Sequence, residues 1–167
     1  MVIFMKSLKA YMIFGAAFVS ILGTLFHFVY DWSGSNAFLG MFVPINESVW
    51  EHTKLIFFPM LLYSVYLNKK NKADYPCLSS AMILGEFSGI LSVIVLYYTY
   101  SGILGYNIAP IDISIFYISV AIAFFIVYKF TNFCKATNLL KILQIIVFLM
   151  YVIFTFTPPK ASLFMGV

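Results

Sequence analysis

Five apolar stretches of helical length, separated by polar breaks, set the pattern of this chain. They run at about 10–30, 48–67, 77–100, 112–130 and 139–157. Each can cover the ~30 Å hydrocarbon core of a bilayer as an α-helix rising ~1.5 Å per residue. The breaks alternate in lysine content. Lys6 and Lys9 precede the first stretch. Lys69, Lys70 and Lys72 follow the second, and Lys129, Lys135 and Lys141 lie around the break between the fourth and fifth. The breaks at 31–46 and 101–111 have no lysine. Lysine accumulates on the cytoplasmic side of membrane proteins, so the pattern predicts a cytoplasmic N-terminus, an odd number of spans and an external C-terminus. The expected fold is all-α: one transmembrane helical-bundle domain over residues 1–167, with about five spans.

Composition agrees with the pattern. Of 167 residues, 63% are hydrophobic and only 10% charged, and the mean hydropathy is +0.99. A soluble domain of this size cannot hide so much apolar surface, so the class is integral membrane protein. The net charge of +4 comes from lysine alone. Because the lysines flank apolar spans, they indicate topology rather than nucleic-acid binding. Cys77 and Cys134 lie near the predicted cytoplasmic ends with no Cys-x-x-Cys, which predicts free thiols and no disulfide framework.

The apolar pattern is interrupted at the mouth of the second predicted helix. The run PINESVWEHTKL (44–55) places Glu47, Glu51, His52 and Lys54 directly before IFFPMLLYSVYL. The stretch from Lys54 to Asn68 is only ~20 Å of helix, too short to cross the core. The helix must therefore carry these groups below the outer surface, or be sheathed in protein. Measured along untilted helices from the cytoplasmic side, Glu86 lies at ~15 Å, Lys54 ~20 Å, His52 ~22 Å, Glu51 ~24 Å, His27 ~27 Å, Glu47 ~30 Å and Asp31 ~33 Å. The ionisable groups form a ladder from mid-membrane to the external face, with none in the inner third.

Helical periodicity sorts these groups by face. Ser20, Thr24, His27 and Asp31 form one stripe on the first helix; Glu47, Glu51 and Lys54 share a face on the second, with Asn46 as the expected N-cap. His52, ~100° from Glu51, looks toward a different neighbour. Gly85 and Gly89 flank Glu86 in a small-xxx-small pattern that admits a close helix. The last helix offers a sparser stripe of Gln144, Tyr151 and Thr155.

These placements suggest three chemistries. Lys54 and Glu86, each costly alone in hydrocarbon, are expected to pair. Asp31, one turn beyond His27, can orient its imidazole, and His27 is expected within reach of Glu51. A metal site would draw on His27, His52 and Glu51, although no His-Glu-x-x-His motif is present. No Gly-x-Ser-x-Gly turn and no phosphate-cradling loop occurs. The same groups also serve plain helix packing and capping.

The run HFVYDWSG (27–34), then FVPINESVWEHTKLIFFPML (42–61), GEFSGI (85–90) and FTFTPPKASLF (154–164), resembles the signature of a family of small bacterial membrane proteins of unknown function. NESVWEH is its most specific part. The resemblance implies a multi-pass cell-membrane protein and brings no activity with it. Three functional classes follow from the residues: binding or transport of a small solute or ion; an intramembrane enzyme acting on a lipid or lipid-linked substrate through His27 or His52 as acid–base or metal ligand; or a structural subunit. The bilayer is the one partner implied; a small solute, ion or lipid ligand and an oligomer are compatible with it. The sequence names neither substrate nor cofactor.

Overall fold

The computed structural model describes residues 2–71, 75–132 and 137–166. Lys72, Cys134 and Lys135 therefore lie outside the described residues. Five long helices match the five apolar stretches: α1 (Val2–Trp32), α3 (Val49–Asn71), α4 (Leu78–Leu104), α5 (Ala109–Phe130) and α6 (Thr137–Phe156). A short α2 (Ala37–Gly40) lies in the first long connection, and a single 3-10 turn (Ser162–Phe164) follows α6.

Local sequence explains the ends. α1 stops where Gly34 takes a left-handed conformation (φ 68°); the Ser35 N–H then bonds the Tyr30 carbonyl at 3.0 Å and the Gly34 N–H the Asp31 carbonyl at 3.1 Å. This is the paired closure that glycine permits at a helix C-terminus. Asn36 caps α2 through Oδ1, which accepts from the Phe38 and Leu39 N–H groups. α5 begins with proline in its first turn, and α6 ends just before Pro158 and Pro159.

α3 is the centre of the bundle. It packs against α1, α4 and α6, while α4 and α5 share the most extensive pairing. Every residue from Thr53 to Met60 is buried. Four helices are long and apolar enough to cross a membrane: Leu8–Trp32, Leu78–Leu104, Ala109–Phe130 and Thr137–Phe156. α3 is not among them, because Glu51, His52 and Lys54 lower its hydropathy. Protein rather than lipid surrounds Glu51 and Lys54, so that part of the helix does not need an apolar surface. The four outer helices instead present Ile13, Ile21, Leu91, Ile118, Ile145 and Ile153 outward, as a helical membrane bundle requires. A bilayer is the environment that suits them.

Gly85 lets α4 and α5 close up: a Cβ there would stand 2.6 Å from the Ala123 carbonyl oxygen, and one at Gly89 3.1 Å from the Ala123 Cβ. The close helix expected at this pattern is thus α5. The half of the bundle nearest the α3 C-terminus is filled by Met12, Met60, Tyr63, Leu67, Met82 and Val127. At that same end Cys77 is disulfide-bonded rather than the free thiol expected. Compartment alone therefore misjudged it.

Candidate functional site

The start of α3 decides which polar groups can meet. Asn46 Oδ1 accepts from the Ser48 N–H at 2.9 Å, and Ser48 Oγ accepts from the Glu51 N–H at 3.3 Å. The cap is therefore Ser48, not Asn46, as the Ser-x-x-Glu spacing of SVWE would allow. Glu47 falls before the helix instead of in its first turn. Freed from the helical face of Glu51 and Lys54, it can turn elsewhere.

Glu51 and Lys54 occupy one side of α3. Lys54 Nζ donates to Glu51 Oε2 at 2.7 Å, to the Gly40 carbonyl at 2.9 Å and to Thr155 Oγ1 at 2.6 Å. Those three bonds use all three ammonium protons. Glu51 Oε2 also accepts from the Ile45 N–H at 3.0 Å. The two side chains are 3% and 0% exposed respectively, so the pair is sealed inside protein. The expected pairing of Lys54 with Glu86 does not form. A partner one turn away on its own helix takes the ammonium, and Glu86 instead accepts from Gln144 Nε2 at 2.8 Å.

His52 lies on the other side, facing α1 as its helical angle suggests. Its Nδ1 is 2.9 Å from the Ser48 carbonyl, and its Nε2 is 3.2 Å from Glu47 Oε2. His27 Nε2 is 4.0 Å from the same oxygen, and the two imidazoles meet edge to face at 5.2 Å between centroids. The carboxylate that joins the histidines is thus Glu47. Glu51, expected in this role, is committed to Lys54 and Ile45. The expected reach of His27 to Glu51 fails for the same reason. Asp31 is exposed and lines a small polar cleft with His27, Tyr30, Asn46 and Glu47; Glu47 is the carboxylate beside His27.

This cluster closes one end of a cavity of about 420 Å³ between α1, α3, α4 and α5. The remaining wall is mainly apolar, including Phe28, Leu55, Val93, Ile115 and Phe116, and Asp112 and Tyr97 also line it. His27, Glu47 and His52 each offer a ligand atom, all within 4.8 Å of one another, and form the group among the described residues able to hold a metal ion.

A family model matches residues 1–167. The chain belongs to DUF6512, a family of unknown function. No curated protein and no solved structure matches it.

Several residues in this member of DUF6512 were not singled out by sequence. Asp112 accepts a hydrogen bond from the Tyr100 hydroxyl, which in turn accepts from the Ile108 N–H at 3.1 Å. An acidic residue after a proline in a first turn was its only signal. Thr53 meets Tyr151, hydroxyl to hydroxyl, at 2.7 Å. The sparse α6 stripe faces inward throughout: Gln144 serves Glu86, Tyr151 serves Thr53, and Thr155 serves Lys54.

Proposed function

We propose that this protein binds an amphiphilic, lipid-like molecule at the outer leaflet of a cell membrane. Its apolar part would lie between α1, α3, α4 and α5, and its polar end would sit at His27, Glu47 and His52. One observation carries the reading: a cavity of about 420 Å³ with an apolar wall and a polar cluster at one end. Its volume falls within the ~300–1,000 Å³ typical of small-molecule sites. Two imidazoles and a carboxylate supply both donors and acceptors for a head group.

Three further features support this reading and orient it. The packed half of the bundle beneath the cavity favours binding over permeation of a solute or ion. Lys54 bonds to both Glu51 and Thr155, and Glu51 also accepts from the Ile45 N–H, which favours a structural task for them. Lys9 and Lys70 stand over Tyr128 and Tyr11 at the bundle end away from the cluster. With that lysine-bearing end inside, the N-terminus is cytoplasmic and the cavity opens outward.

The test uses delipidated protein in detergent and native mass spectrometry with added lysophospholipid. Saturable one-to-one binding is expected, and it should fall at least tenfold when Val93→Phe or, at a more exposed position of the wall, Ile113→Trp fills the cavity. Equal binding by wild type and both folded variants would refute the reading.

A further inference from the structure

We infer that His27, Glu47 and His52 form a binding site for a divalent transition-metal ion of the zinc class. The inference uses the polar end of the cavity proposed above, but needs only the three side chains. Its starting point is a conflict between acceptors. The Ser48 carbonyl can only accept, so at 2.9 Å it fixes the His52 Nδ1 as the donor. In the neutral ring the Nε2 then presents a lone pair, and it faces Glu47 Oε2 at 3.2 Å. Two acceptors at that distance repel unless a cation lies between them, either a proton or a metal ion.

The second histidine favours the metal. His27 Nε2 approaches the same oxygen at 4.0 Å. A proton joins one pair of acceptors, whereas a metal ion joins all three atoms. A tetrahedral ion with bonds of ~2.0–2.2 Å sets its ligand atoms ~3.4 Å apart. The two histidine–carboxylate separations of 3.2 and 4.0 Å bracket that value, and all three ligand atoms lie within 4.8 Å of one another, so side-chain rotations can bring them onto one ion. Two imidazoles with one carboxylate suit zinc and its neighbours, whereas calcium and magnesium prefer oxygen ligands.

The supporting groups fit as well. The Ser48 carbonyl orients His52 as outer partners commonly orient metal-binding imidazoles. The three ligands come from α1, the loop before α3 and α3 itself, so one ion would tie together elements that meet at the cavity mouth. Three protein ligands leave a fourth position for a water or an oxygen of the bound molecule, the arrangement of open rather than purely structural zinc sites. The cavity lies beside that position.

The experiment uses the full-length, untagged chain in detergent, stripped with chelator and then titrated with Zn²⁺. Bound metal is counted by elemental analysis, and Co²⁺ substitution reports geometry through its visible absorption. One equivalent per chain is expected, with the spectrum of a four-coordinate nitrogen–oxygen site. His27→Ala, Glu47→Gln and His52→Ala should each weaken Zn²⁺ by at least the ~10–100-fold that loss of an outer partner causes. Melting of each metal-free variant beside metal-free wild type separates ligand loss from misfolding. Val93→Phe and Ile113→Trp should keep the metal. In the wild type, zinc binding with no lysophospholipid binding would overturn the amphiphile reading alone. Substoichiometric zinc in wild type, or unchanged affinity in the three folded variants, would overturn the metal site and leave a protonated histidine–carboxylate cluster.

Discussion

Replacing Lys54 with methionine tests how the buried charges are held. The change keeps most of the side-chain length and removes the ammonium. Glu51 would then keep its bond from the Ile45 N–H but lose Lys54, its ion-pair partner, in a position 3% exposed. At an effective dielectric near 20, two unit charges 2.7 Å apart attract by ~6 kcal/mol. Much of that attraction is offset by desolvation of the ammonium, which methionine does not undergo. The net cost of stranding one partner of a buried pair is ~3–5 kcal/mol. Combining Lys54→Met with Glu51→Gln removes both charges. The glutamine carbonyl still accepts from Ile45, and Thr155 still donates to the Tyr151 carbonyl at 2.7 Å. The Gly40 carbonyl then loses its donor, as does the Val43 carbonyl with its longer 3.5 Å contact, at ~1–3 kcal/mol. The double variant should therefore be more stable than Lys54→Met alone by ~2 kcal/mol, the difference between those two ranges. Reversible unfolding in mixed micelles, followed by circular dichroism, measures the order. A double variant as unstable as the sum of the two single changes would refute the account.

Two further predictions concern packing and orientation. Gly85→Val should destabilise the bundle by ~1–3 kcal/mol, because its side chain must displace the Ala123 backbone; Gly89→Ala should cost less, and unchanged unfolding of Gly85→Val would refute the close α4–α5 contact. Epitope tags inserted after Ser35 and after Lys70 should be accessible from opposite sides, with Ser35 outside. The lysines favour that orientation and the disulfide at Cys77 favours its reverse, so a tag at Lys70 exposed outside would refute the lysine argument.

The helices were legible in the sequence because spans of this length need apolar runs, and polar breaks delimit them. The separation of His52 from Glu51 and Lys54 was legible too, since it follows from helical angle alone. Pairing across helices was not. Depth put Lys54 level with Glu86, but depth contains no azimuth: α4 turns Glu86 toward Gln144 on α6, and Lys54 bonds within its own helix and to the loop beside it. Glu47 was misplaced for a local reason. A shift of the cap from Asn46 to Ser48 moves the helix start past Glu47, and the helical face assigned to it then has no meaning. SVWE held that signal. Asp112 was missed because a first-turn acid usually serves the helix dipole, and only the fold shows that it lines the same cavity as the histidines.

The two polar sides of α3 are joined by the chain that precedes it. Lys54 holds the Gly40 carbonyl, and Glu51 holds the Ile45 N–H. These bonds fasten the two ends of the segment 40–45 to the helix it leads into. Glu47 follows only two residues after Ile45, between that anchor and the Ser48 cap. Its carboxylate is therefore delivered to His27 and His52 by a loop clamped on both sides. Lys54 and Glu51 act on the cluster without touching it, as positioning residues. This division explains why so apolar a chain contains a buried ion pair at all. Well-packed hydrophobic residues can match such a pair in stability, but they cannot hold a loop by its carbonyl and its N–H at once. The ladder of ionisable groups is thus divided: Glu51 and Lys54 form an inner clamp bonded within the protein, His27, Glu47 and His52 form an outer cluster on the cavity, and Glu86 stands apart from both, bonded to Gln144.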